Sequence, residues 1–336
     1  DQNAGITAYN VAVGYGAAEN LTTGTQSVFI GGLAGDAITT GSNNVAIGYA
    51  ALSAEDGTGR AVAIGFGALA TQNTPANSYN VAIGYNASTL STTGAENTIV
   101  GSFAGDAILG GSNNVLMGVH TGGGLTGGGA NVAIGHSALR NETAYGNNVA
   151  VGEQALTTQD AGANAHNVAI GYYAGTSITT GVNNTLMGSN AGDALTSGGY
   201  NTAVGHNALS SEDAHGRNVA IGRSALQALN AGTDSYNIAV GFNAGISVST
   251  GTQNTLIGGL AGDALTTGNY NVAIGHTALT SEDGHGYNTA VGAYTLYTQD
   301  AGANAYNTAV GYNTGFGITT GVNNTIIGGL AGDAIT

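Results

Sequence analysis

The chain has 336 residues, of which 60 are Gly and only one is Pro; it has no Cys and no Trp, and all four basic residues are Arg. A net charge of −15 argues against nucleic acid as a partner, because phosphate needs a basic stripe. The missing Cys excludes disulfides and thiolate metal sites, and Gly without a Gly-X-Y period excludes collagen. Apolar runs of about four or five residues are too short for a membrane-spanning helix.

The first predicted element is the strand NVAVG, which closes at Gly14. The same phrase returns along the whole chain, with its closing glycine at 14, 31, 48, 65, 84, 101, 118, 135, 152, 171, 188, 205, 222, 241, 258, 275, 292, 311 and 328. The steps are 17 residues, with four of 19. One strand-like phrase per short, fixed period predicts a solenoid whose coils touch only their neighbours.

Positions are counted here from that glycine. Position −3 is Val, Thr or Ile and position −1 is Ile, Val or Met, while −4 is Asn in 17 of 19 copies and −2 is mostly Ala. Alternation with period two is the strand signal. It predicts that −3 and −1 fill the interior of the coil, and that −4 and −2 share the other face. After the glycine, Ala at +3 and Leu at +4 read as a second, shorter strand that closes the coil.

Four coil types follow one another: one with a TTG turn, one reading AGDA, one with an acidic SED-type turn and one of 19 residues. Together they make a superrepeat of 70 residues, as from Gly171 to Gly241. One extra coil, about 119–135, carries the Gly-rich stretch 121–130. The expected fold is all-β: a parallel β-solenoid of the β-roll kind, with nineteen coils of 17 or 19 residues. It is read as a single continuous domain over 1–336, belonging to a longer fibre. At about 4.8 Å between strands it would be a rod of roughly 90 Å.

The Asn column, with Asn44, Asn80, Asn114, Asn131, Asn167, Asn201, Asn271 and Asn307 among its members, predicts a structural ladder of amides bonded along the axis. Position −2 enlarges at Phe29, Ile99, Leu186, Leu256 and Ile326. These are expected to be outward knobs of an Ala-rich interface with further copies of the chain. Each long turn of the 19-residue coils ends in a ring: Tyr79, His166, Tyr236 or Tyr306. Rings beside Asn, Gln and Asp are candidate surface contacts for a sugar, or simply shields of the coil edge.

No catalytic constellation emerges, and neither an enzyme nor a cofactor is expected. His136, His206 and His276 fall at +1 in a column that elsewhere holds Tyr or Phe, which reads as a stacked aromatic edge. Glu282, Asp283 and Asp300 are the best oxygen cluster for Ca²⁺, but the set does not recur. Solvated loop carboxylates, with no bound metal, are the expectation there.

The NVAIG copies ending at Gly48, Gly84, Gly135, Gly171 and Gly275, and RAVAIG ending at Gly65, resemble the NSVAIG-type phrase in the head domains of YadA-like trimeric autotransporter adhesins. They equally resemble the NTAVG-rich shafts of phage tail fibres and environmental surface fibres. The resemblance covers nearly the whole chain. It implies a left-handed parallel β-roll, a homotrimer or filament, and an extracellular place on a cell-surface appendage or virion fibre. The expected function is that of a structural shaft with an adhesive or receptor-reaching role. A multivalent glycan-binding adhesin head is the alternative. An ice-binding solenoid is a further one, resting on Thr pairs such as Thr39–Thr40, Thr179–Thr180 and Thr266–Thr267.

Overall fold

The structure is a computed structural model and describes residues 8–56 and 59–335. Among these residues it is all-β, with nineteen strands of three residues each and no helix. The chain divides into two compact units, Asp1–His166 and Asn167–Thr336. The first holds β1 (Val11–Val13) to β9 (Val149–Val151), the second β10 (Val168–Ile170) to β19 (Thr325–Ile327). Within each unit every strand pairs in parallel with the next. Val45, Ala46 and Ile47 face Val62, Ala63 and Ile64 in the first unit. In the second, Val272, Ala273 and Ile274 face Thr289, Ala290 and Val291. Each repeat is thus one coil of a parallel β-solenoid. The extra coil is in full register too, with Val115 opposite Val132.

The faces are the reverse of the expected ones. In β16 (Val272–Ile274) Ala273 is fully buried, while Val272 and Ile274 are only half-buried. The other interior strands repeat this pattern. Asn at −4 and Ala at −2 point into the coil, and the β-branched residues at −3 and −1 point out. The physical reason lies in the Asn column. Its amides bond backbone across the coil interior, so they must point inward, and period two carries −2 in with them.

The segment after the glycine is not a second strand. It is a run of turns in which alternate residues take left-handed backbone: Gly275 has φ +140°, Thr277 +51° and Leu279 +55°. The N–H groups of these left-handed residues point in turn to the coil before and the coil after, while the N–H between them closes the local turn. Thr277 N–H donates to the Gly259 carbonyl of the coil before (3.0 Å), and Leu279 N–H to the Thr295 carbonyl of the coil after (3.0 Å). The run satisfies its backbone along the axis without being a strand.

The knobs are core residues. Phe29, Leu186 and Leu256 are fully buried and Ile99 is 1 % exposed; Ile326, in β19, is half-buried. None is an outward knob, because each fills space left by a glycine. Coils of the SED and 19-residue types place Leu at +4, as at Leu209, Leu226, Leu279 and Leu296, and keep Ala at −2. AGDA coils place Gly at +4 and a large residue at −2. A Cβ on Gly35 would lie 2.4 Å from the Phe29 ring, and one on Gly262 2.8 Å from Leu256. TTG coils are small at −2 and nearly always at +4, and are filled by their neighbours. A Cβ on Gly245 would meet Leu256 at 2.5 Å and Leu226 at 3.1 Å. The 70-residue superrepeat is therefore a rotation of bulk around the core that keeps total volume near close packing.

Candidate functional site

The Asn ladder lies inside each unit, and its main partner is backbone. Asn114 is fully buried. Its Oδ1 accepts the Asn131 backbone N–H (3.0 Å), and its Nδ2 donates to the Gly128 carbonyl (3.0 Å). Asn80, Asn167, Asn271 and Asn307 donate in the same way to the carbonyl 14 residues on. The Asn44 and Asn201 side chains are buried in the same column. The ladder's role is structural.

Position −5 is an outward column held in left-handed backbone, with φ between 48° and 66° at the residues described. Tyr79, Tyr236 and Tyr306 are about half exposed and His166 is exposed. Sequence reasoning found only these four. The structure adds their neighbours on adjacent coils. Arg217 lies between the rings of Tyr200 (5.5 Å) and Tyr236 (5.6 Å) and pairs with Asp234 at 2.6 Å. Tyr270, Tyr287 and Tyr306 stack in series at 5.1 and 4.9 Å, and Arg60 lies over Tyr79 and donates to its hydroxyl. Gln253 interrupts the column, and beside it Tyr236 lines a hollow of about 400 Å³. Neighbouring rings cover both faces of Tyr287 and one face each of Tyr270 and Tyr306, and Arg60 covers one face of Tyr79, leaving edges and hydroxyls to solvent. The signal was in the sequence: Tyr or Arg at −5 in coils without a long turn.

A second aromatic column runs at +1 and +2. Tyr49, Phe66 and Tyr85 stack at 5.4 and 5.2 Å, and Phe103 stacks on His120 at 5.2 Å. In the second unit His276 meets Tyr294 edge-on at 5.6 Å. This is the aromatic edge expected there.

The acidic turns depart most from expectation. Glu282 is fully buried, as are Glu142 and Glu212, and Glu55 is 1 % exposed. They are not solvated loop carboxylates, because position +7 is a core column, filled elsewhere by Leu21, Ile38, Ile108, Leu195 or Leu265. Burial pushes the Glu142, Glu212 and Glu282 carboxyls above the ordinary carboxylate value, opposed by a backbone N–H three residues on. That donor is Tyr145, His215 or His285, at 3.3, 3.2 and 3.0 Å. In each of these three glutamates Oε2 is buried without a hydrogen-bond partner. Around Glu282 the turn gathers Asp283, His285 and Asp300, each offering a ligand atom within 4.8 Å of the others. His285 joins the set that sequence spacing limited to three carboxylates. The missed signal was a Glu standing in a column of Leu and Ile.

No protein-family model matches the chain, and no curated protein matches it. The functional reading therefore rests on geometry.

Proposed function

We propose that this chain is part of an extracellular structural fibre that associates with copies of itself through the outer face of its β-strands. One observation carries the reading. Positions −3 and −1 form two adjacent columns of Val, Ile, Thr and Met that stay half-buried or exposed along both units. Ile30, Ile83, Met117, Ile134, Met187, Ile221 and Ile257 are all exposed. Soluble monomers rarely leave so long an apolar stripe in water. A second and third copy would cover it, in keeping with the homotrimer or filament that the sequence resemblance implies. The association expected from the Ala face is thus carried by the opposite face.

The test is Ile257→Glu, Ile274→Glu and Val291→Glu together, one on each of three successive coils. These side chains lie outside the core, so the β circular dichroism should persist while the sedimenting mass falls to that of one chain. A parent that sediments as a monomer, or a triple variant that stays assembled, overturns the reading.

Glycan binding is the second reading. The hollow at Tyr236 and Gln253 favours it, and a glycan array that retains the parent but not Tyr236→Ala would support it. The ice-binding reading is weakened because the Thr39, Thr179 and Thr266 hydroxyls each bond the carbonyl of the next coil.

A further inference from the structure

We propose that Glu282, Asp283, His285 and Asp300 form a binding site for a first-row divalent transition-metal ion, with Zn²⁺ the fitting probe, that clamps two successive coils. Glu282 reaches the site from the core, and its buried Oε2 has no hydrogen-bond partner. His285 Nδ1 lies 3.4 Å from Glu282 Oε1 and is itself buried without a hydrogen bond. In the Nε2–H tautomer the Nδ1 lone pair faces the carboxylate oxygen, so two acceptors meet at that distance, and a divalent cation between them would take the place that a proton on Nδ1 otherwise fills.

Asp283 and Asp300 add carboxylate oxygens from the exposed side, which leaves an entry path. Asp300 sits on the following coil. Zinc ligands at about 2.0–2.2 Å from the ion lie within about 4.4 Å of one another. The observed spread of up to 4.8 Å closes by small side-chain rotations. One imidazole among the ligands favours zinc and its neighbours over Ca²⁺, which takes an all-oxygen shell.

The arrangement recurs one superrepeat earlier. Glu212, Asp213 and His215 gather in the same way, and Glu212 Oε2 and His215 Nδ1 are again buried without partners. There the fourth place, 18 residues after the glutamate, is Asn230 where the other site has Asp300. The coil of Glu142 has Thr143 and Tyr145 in place of the Asp and His, and serves as an internal control.

The experiment titrates the full chain, freed of metal by a chelator, with ZnCl₂ by calorimetry and counts bound metal by mass spectrometry. One strong equivalent per chain is expected, with a weaker second one from Glu212. Asp300→Asn should weaken the strong site by about tenfold or more with an unchanged circular dichroism spectrum. Asn230→Asp should convert the weak site into a second strong equivalent, a gain that a merely structural role would not produce. Four results would each overturn the proposal: no zinc bound at micromolar concentration, binding insensitive to Asp300→Asn, no gain from Asn230→Asp, or calcium bound more tightly than zinc.

Discussion

The amide of Asn114 touches three structural levels at once. Its Oδ1 receives the N–H of Asn131 on the next coil and its Nδ2 bonds the carbonyl of Gly128, while its own N–H donates to Asn97 Oδ1 at 3.0 Å. Asn114→Ala removes a donor and an acceptor from a site that excludes water, and leaves buried backbone groups unpaired. We expect a loss of about 2–4 kcal/mol, read as a lower urea midpoint with an unchanged slope. Ser27, one of two non-Asn residues in the column, shows how the role can be kept. Its hydroxyl accepts the Asn44 N–H at 3.0 Å, while its own N–H donates to Asn10 Oδ1 at 2.9 Å.

The coil is the element of this fold, and its most constrained point is the glycine that closes each strand. Gly275 has φ +140°, and a Cβ there would stand 2.4 Å from the Gly292 carbonyl oxygen and 2.5 Å from its carbon. Those contacts are backbone, so no rotamer change relieves them. Gly275→Ala should cost at least about 1–3 kcal/mol from the backbone conformation alone, with the clash in addition. In a thermal melt the variant should unfold well below the parent. Leu at +4 accepts a milder version of the same strain. Leu279 is left-handed at φ +55°, and burying a Leu side chain stabilises by about 1.5–3 kcal/mol, enough to offset it.

At the scale of the whole molecule, charge and buried carboxyls act in the same direction. Burial raises Asp106, Asp193 and Asp263 as well as Glu142, whose value is raised further by nearby Asp160. A carboxyl with a higher value in the folded state holds its proton more tightly when folded. The stability it contributes is complete below the ordinary carboxyl value and is lost as pH rises through the raised one. Protonation also relieves the self-repulsion of a net charge of −15. Asp234 runs the other way, held low by its hydrogen bond with Arg217, but that pair is exposed and contributes little. The melting temperature should therefore fall as pH rises from the ordinary carboxyl range, about pH 4, to neutrality. Glu142→Gln should raise it at the upper end and flatten the slope. A melting temperature that rises across this range would contradict the burial account of Glu142.

Sequence alone determined the coil, its period and the place of the one strand each coil holds, because a short phrase repeated in phase leaves the backbone few alternatives, but it read a second strand where the structure has turns. It also located the Asn ladder and the exposed rings Tyr79, Tyr236 and Tyr306. Only the tertiary structure decided which face is inside. Period two is symmetric, so Val272 and Ile274 fit either side of β16 equally well by pattern. The choice fell to the Asn amides, whose backbone partners lie within the coil. The same decision turned Phe29 and Leu256 from surface knobs into core and carried Glu282 inside. The +7 column, where Glu282 stands among Leu and Ile, held the signal for that step, but a loop residue's burial is decided by what the adjacent coils place around it.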